Sequence, residues 1–334
     1  MALASIISVA HVDAPIRVES EVIEQGFAET LSRLGQRPGL VRALTGVVAR
    51  RFWEAHIQPS DAATMAAEKA LAQSGIPLQK IGVLINTSVS KDFIEPSIAS
   101  TVHGNLGLNP LCLNFDVSNA CLAFLDAIEI ASLMIRTGRV EYALIVDGES
   151  SRLPVETTIQ VLAQANMSEV ELRDHFATLT LGSGAAAMVL GPVDQSPHQV
   201  TGRVSVAATN HNALCRGQRD HMITDAPALL QAGVDLALQA WERAQVEMGW
   251  SAENIDHLIM HQVGSAHSRS VLNRLGLDIS RAYLTYPEFG NMGPASIPVT
   301  LSKAVESGIV TSGQQLALMG IGSGLNCSMM GIKW

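Results

Sequence analysis

Leu113-Asn114-Phe115-Asp116-Val117-Ser118-Asn119-Ala120-Cys121-Leu122-Ala123-Phe124 changes character in its middle. Its first residues belong to a short apolar strand predicted over 112–116. Ser118-Asn119-Ala120 makes a turn, and Cys121 opens an alanine-rich helical pattern predicted over 121–137. A strand that passes through a tight turn straight into a helix is the basic step of a parallel sheet with helical crossovers. Upstream the chain predicts a helix over 60–74, a strand over 81–86 and a helix over 96–106, and downstream a strand over 142–147.

The same order returns later: helix 227–248, strand 257–261, helix 265–275, strand 283–286, helix 294–307 and strand 315–320. Two runs of one element order predict an α/β fold, duplicated, with helices on both faces of largely parallel sheets. The halves span 1–195 and 196–334, and the segment 191–199, with Pro192 and Pro197, is the join. Pro96 and Pro294 suit the first turns of their helices, where a missing N–H costs nothing. The polar stretch 150–175 predicts helical excursions over the sheet. The apolar run 1–10 has no Lys or Arg ahead of it and reads as a first strand rather than a signal peptide.

Composition narrows the function classes. A chain of 334 residues, 47% hydrophobic and 16% charged, can bury the cores of two domains and is not a disordered protein. A net charge of −9 argues against nucleic-acid or anionic-membrane affinity. Apolar runs are too short to span a bilayer. Four scattered cysteines give neither a disulfide framework nor a metal-type pairing, so a reducing cytoplasm is expected, with no metal and no tightly bound cofactor.

Three residues stand at strand ends, where open parallel sheets gather their ligands. Cys121 follows strand 112–116, and a helix start there is expected to favour thiolate over thiol. His261 ends strand 257–261. Asn291 lies in the loop Phe289-Gly290-Asn291-Met292-Gly293-Pro294 ahead of a helix. Read singly, they fit a small buried thiol, a structural histidine and a turn residue. Jointly they supply a nucleophile, a proton handler and a hydrogen-bond donor, the requirements of thioester chemistry.

Asp116-Val117-Ser118-Asn119-Ala120-Cys121, Met260-His261-Gln262, the loop around Asn291 and Gly320-Ile321-Gly322-Ser323-Gly324 resemble the four active-site blocks of the thiolase superfamily. More narrowly they resemble its 3-oxoacyl-ACP synthase III branch, in the same order and over nearly the whole chain. The resemblance implies a five-layer αβαβα fold built from two duplicated halves, and a homodimer. It implies that Cys121 accepts an acyl group from a thioester and that His261 and Asn291 hold the carbonyl of a second one. The amides of Cys121 and Ser323 would form the oxyanion hole. Arg50 and Arg51, in a locally basic stretch, fall in the segment that approaches coenzyme A in that family and are expected to contact its phosphates. Acyl carrier protein could use the same patch.

One position separates reactions within the branch. Carbon–carbon bond formation needs a carbanion, made by decarboxylating a malonyl group or by removing an α-proton, and only the second route needs a base. Glu95 stands where ordinary synthases of type III carry an apolar residue, on a segment that in the family crosses into the partner subunit's site. This resembles the non-decarboxylating Claisen enzymes that condense two fatty acyl-CoA molecules at the start of head-to-head olefin or β-lactone biosynthesis. As a base, Glu95 would need burial to raise its pKa; read alone, it is an acid at a helix start. The alternatives are a decarboxylating 3-oxoacyl-ACP synthase III and, from another class, a non-catalytic subunit of a heterodimeric enzyme. A biosynthetic thiolase and hydroxymethylglutaryl-CoA synthase fit the flanking blocks less well.

Overall fold

Every residue of the strands Tyr142–Glu149 and Gly184–Gly191 is buried, as a sheet covered on both faces requires. The computed structural model describes residues 2–334, so Met1 of the predicted first strand lies outside the described residues. The main sheet has nine strands: β1 Ala4–Asp13, β2 Ile81–Asn86, β3 Leu113–Asp116, β4 Tyr142–Glu149, β5 Gly184–Gly191, β6 Gln199–Ala207, β7 His257–Met260, β8 Gln315–Gly322 and β9 Asn326–Lys333. Their order is β7-β8-β9-β6-β1-β5-β4-β2-β3, with β3 at one edge. The two halves of the sheet meet where β1 pairs with β6 through only Ala4–Val200 and Ser5–Gln199.

Six helices complete the layers: α1 Pro59–Ser74, α2 Ile98–Asn105, α3 Ala123–Arg136, α4 Ala226–Met248, α5 Ser265–Leu275 and α6 Ser296–Glu306. Side chains of α3 and α6 pack between the two half-sheets in one core, which holds Ile128 and Leu301 together with Ile145 and Leu318. The alanine-lined face of α1 and the buried face of α2 cover the outside of the first half. Trp241 of α4 and Leu272 of α5 belong to the core that covers the outside of the second. The result is the expected α/β fold with five layers, αβαβα. Strand alternation fixes which residues face the middle layer. On β4, Ala143 and Ile145 join the central core while Leu144 and Val146 join the outer one. Asp147 and Glu149 continue the inward row. On β7, Ile259 faces inward and Leu258 and Met260 outward, which sends His261 inward.

One predicted strand does not form. Just before 283–286 the chain makes a single bridge, between Ala282 and Leu258, and the helical turn Tyr286–Phe289 follows. The Gln262 side chain explains the loss. Its amide donates to the Tyr283 carbonyl at 2.7 Å and accepts from the N–H groups of Thr285 and Tyr286 at 2.8 and 3.1 Å, so these backbone groups are satisfied without a ladder. The helix predicted from residue 96 starts at Ile98, because Ser97 accepts the Ser100 N–H as N-cap; Pro96 stands outside it. Pro294 falls in the 3-10 turn Gly293–Ala295 that leads into α6.

Candidate active site

Cys121 is presented by a strained turn. Ala120 has φ 44°, and it is the one non-glycine residue with positive φ among the described residues, a conformation that costs energy and persists only where the surroundings enforce it. Asn119 supplies part of that enforcement: it donates to Asp126 Oδ2 at 2.7 Å and accepts from Asn326 Nδ2 at 3.1 Å. Asp126 pairs with Arg203, whose guanidinium also bonds Glu129 and Ser328. The turn is thereby tied to β6 and β9 of the other half.

The expected bias toward thiolate is not found. The helix starts at Ala123 with Leu122 as N-cap, two residues beyond Cys121. Burial pushes the Cys121 thiol up to about 12, and Cys215 and Glu149 push in the same direction.

His261 Nε2 lies 3.1 Å from Asn291 Oδ1 in a buried contact. The same oxygen accepts the Gly293 N–H at 3.0 Å, which identifies it as the carbonyl oxygen of the amide and leaves His261 as the donor. The imidazole therefore carries its proton on Nε2. Burial holds His261 down at about 4, so it is neutral. Asn291 Nδ2 remains free to donate. The loop can adopt this path because Gly290 has φ 67° and a Cβ there would lie 2.4 Å from the Thr180 carbonyl.

The β8–β9 hairpin brings these parts together. A Cβ on Gly322 would lie 3.5 Å from Cys121 N and 3.4 Å from Asn119 O, and one on Gly320 would lie 2.5 Å from Leu122 Cδ2 and 3.8 Å from His261 Cβ. Ser323 sits at the hairpin turn. Neither the Cys121 nor the Ser323 N–H is taken up by a carbonyl of the surrounding turns and loops, so both are available to a developing oxyanion.

Glu95 is exposed, next to a fully exposed Ile94 and an exposed Phe93, so its own chain does not provide the burial expected of a base. The arginine pair is also corrected in part. Arg50 has no exposed surface, donates to the Leu179 carbonyl at 2.5 Å and is held down at about 10 by burial; a core cation cannot meet a phosphate at the surface. Arg51 is half-buried, with its guanidinium 5.3 Å from the Phe289 ring centroid.

Sequence reasoning missed Asp147 and Glu149. Both are buried at the end of β4 and face the middle layer. Thr87 donates to Asp147 at 2.5 Å, and burial together with Glu149 holds the Asp147 carboxyl well above the usual range. Burial likewise raises Glu149 to about 7, against hydrogen bonds from Ser90 and Val89 that lower it. Two acids spaced i, i+2 at the carboxyl end of an apolar strand were the available signal.

The sequence profile described as 3-oxoacyl-[acyl-carrier-protein] synthase III matches residues 115–207, and the one for its C-terminal part matches residues 246–334. A relative from Xanthomonas campestris named acyl-CoA:acyl-CoA alkyltransferase is 44% identical over 332 residues, covering 99% of this chain and 98% of its own. One of the same name from Shewanella oneidensis is 36% identical and covers 98% and 97%. A β-ketoacyl-[acyl-carrier-protein] synthase III from Natranaerobius thermophilus is 28% identical and covers 88% and 90%. The crystal structure of cerulenin-bound Xanthomonas campestris OleA superposes with a TM-score of 0.97 at 44% identity, covering 99% of this chain and 97% of that one. A cysteine-to-serine variant of OleA with bound lauric acid and lauroyl-CoA gives a TM-score of 0.97 at 44% identity and 99% coverage of both.

Proposed function

This chain belongs to the 3-oxoacyl-[acyl-carrier-protein] synthase III branch of the thiolase superfamily, and we propose that it joins two fatty acyl-CoA molecules by a non-decarboxylative Claisen condensation. The observation that carries the reading is similarity along 99% of the chain to a relative named for acyl-CoA:acyl-CoA transfer. The acid Glu95 on an exposed, apolar-flanked segment supports it.

In the first half-reaction the Cys121 sulfur attacks the thioester carbon of one acyl-CoA. Coenzyme A leaves and takes up a proton equal to the one the thiol gives up. The amides of Cys121 and Ser323 hold the oxyanion. A second acyl-CoA then enters with its carbonyl oxygen toward Asn291 Nδ2 and His261 Nε2, whose proton turns from Asn291 Oδ1 to the substrate. Glu95 of the partner subunit removes an α-proton, and the two donors stabilise the enolate. The enolate carbon attacks the acyl-Cys121 carbon, the cysteine sulfur leaves and recovers the proton held by Glu95, and a β-ketoacyl-CoA results, which water hydrolyses to the β-keto acid and coenzyme A.

The partner is a second copy. Support comes from β3, which ends the sheet with an unpaired edge, and from Leu111 and Leu113 exposed beside it together with Phe93 and Ile94. Four free cysteines agree with a reducing cytoplasm. No described helix is long and apolar enough to cross a membrane. Of the two arginines only Arg51 keeps solvent access, and it is carried forward as the phosphate contact of the acyl-CoA. Both carbon skeletons come from acyl-CoA, so no tightly bound cofactor is called for.

Incubation with one long-chain acyl-CoA and no malonyl donor tests the reading. A β-keto acid of doubled chain is the expected product. Product that appears only with a malonyl thioester establishes the second reading, a decarboxylating synthase, which the Natranaerobius relative favours.

A further inference from the structure

We propose that Glu149 is a positioning residue that ties the segment leading to Glu95 to the loop that carries Asn291. Its carboxyl stands between the two. On one side Oε1 accepts the Val89 N–H at 2.6 Å, and Oε2 accepts the Ser90 N–H at 3.2 Å and the Ser90 hydroxyl at 2.6 Å. The Ser90 oxygen in turn accepts the Ser150 N–H at 3.0 Å, so residue 90 is bracketed by two consecutive residues at the end of β4. On the other side lies Gly293, where a Cβ would be 3.6 Å from Glu149 Cδ. Gly293 is the residue whose N–H fixes the Asn291 carbonyl oxygen. A single buried side chain therefore bonds the base of the Glu95 segment and borders the space a side chain at Gly293, the anchor of the enolate-binding amide, would occupy.

An acid is required here for a physical reason. Three donors converge on the group, two of them backbone N–H groups with no other partner in the surrounding loops. Above about pH 7, where the group ionises, the carboxylate accepts all three, whereas a glutamine has one accepting oxygen and would set its own N–H groups against one of them. The other groups that face or act on this position are Asp147 on the same face of β4, Lys91 from the loop and the Cys121 thiol. Lys91 is itself engaged with Asp116. The Glu149 contacts, together with the bonds between the Ser90 hydroxyl and the Ser150 backbone, thus tie the end of β4 to residues 89–90, ahead of Glu95.

The role in catalysis rests on the proposed condensation; the tie itself does not. Two variants test both. Glu149→Gln keeps the volume of the side chain, and Ser90→Ala removes one donor and leaves the acid. Acylation of Cys121, read by intact mass after a single turnover, is expected within about twofold of wild type for both. Condensation is expected to fall roughly 10-fold or more for Glu149→Gln and by a smaller factor for Ser90→Ala. Hydrogen–deuterium exchange at Val89 and Ser90 is expected to speed up in Glu149→Gln. Unchanged exchange in that variant overturns the tie. Equal loss of acylation and condensation, tracking a drop in melting temperature, overturns the positioning role in favour of simple stability. Should the wild type make no product from acyl-CoA alone, the functional reading fails, and exchange at these two amides still decides whether the tie exists.

Discussion

His261 donates from Nε2 to Asn291 Oδ1 at 3.1 Å while the Gly293 N–H holds that oxygen from the other side at 3.0 Å. This arrangement fixes the imidazole tautomer and the amide orientation together. It engages the Nε2 proton on Asn291 and leaves the Asn291 Nδ2 amide free for an entering carbonyl oxygen, which the Nε2 proton can reach only by leaving Asn291 Oδ1. Asn291→Asp keeps the shape but substitutes a carboxylate for the amide donor. Condensation should fall by about 100-fold or more, the scale seen when one oxyanion donor is lost. Formation of acyl-Cys121 should persist. Parallel assays of the two half-reactions check this, and equal loss in both contradicts the assignment.

The pH dependence of stability follows from burial of imidazoles. Burial holds His267 down at about 4, with the His261 charge acting in the same direction. The folded state prefers the neutral ring, so its contribution is present above the unfolded value near 6.5 and is lost as pH falls through the window toward 4. Glu149 has the opposite sign. Raised to about 7, it contributes stability below about 4.5 that is lost as pH rises through 7. Whole-protein curves blend the two, and a difference measurement separates them. In His267→Leu the fall in melting temperature between pH 7 and pH 5 should be smaller than in wild type.

The Cys121 thiol, pushed up to about 12, should be a slow nucleophile until substrate arrives. With the thiol held that high, very little of it is ionised at pH 8. Alkylation by iodoacetamide should keep rising from pH 7 to pH 9 without a plateau. A plateau below pH 8 would show a stabilised thiolate and restore the simpler idea of activation by the helix start.

The two arginines should part company. Arg51→Ala should raise KM for acyl-CoA severalfold with little change in kcat, as expected when a contact made equally in ground and transition states is removed. Arg50→Ala should instead lower the melting temperature, because its buried guanidinium supports the Leu179 carbonyl. A KM effect confined to Arg50 would reverse the placement.

The contrast between these neighbours shows what the sequence could reveal. Strand Ile81–Asn86 and helix Ser265–Leu275 fall on their predicted bounds, because period and helix-stop glycines are local properties. Cys121, His261 and Asn291 stand out in the sequence for a similar reason, each lying where a patterned element begins or ends. Arg50 and Arg51 are identical in kind and adjacent, and only the three-dimensional pairing of Ala49–Phe52 with Ile16–Glu19 decides which of them turns into the core. The strand over 283–286 was lost to one side chain, Gln262, which no periodicity could announce. Glu149 went unread because its three donors come from a loop about sixty residues away.

Close approach of the β8–β9 hairpin to the nucleophile turn gives a test by suppression. Gly320→Ala would set a methyl 2.5 Å from Leu122 Cδ2, with Ile297 Cδ1 at 3.3 Å. Overpacking of this kind should cost about 1–3 kcal/mol and, because Leu122 adjoins Cys121, should slow acylation as well. Leu122 is 1% exposed, so Leu122→Ala alone should cost about 2–5 kcal/mol through the cavity it leaves. In the double variant the new methyl occupies part of that space, and the two penalties should sum to less than their total by about 1 kcal/mol or more. Denaturant midpoints of the four proteins supply the cycle, with acylation rates measured alongside. Strict additivity, with acylation still slow in the double variant, would mean that Gly320 acts on Cys121 by a route other than Leu122.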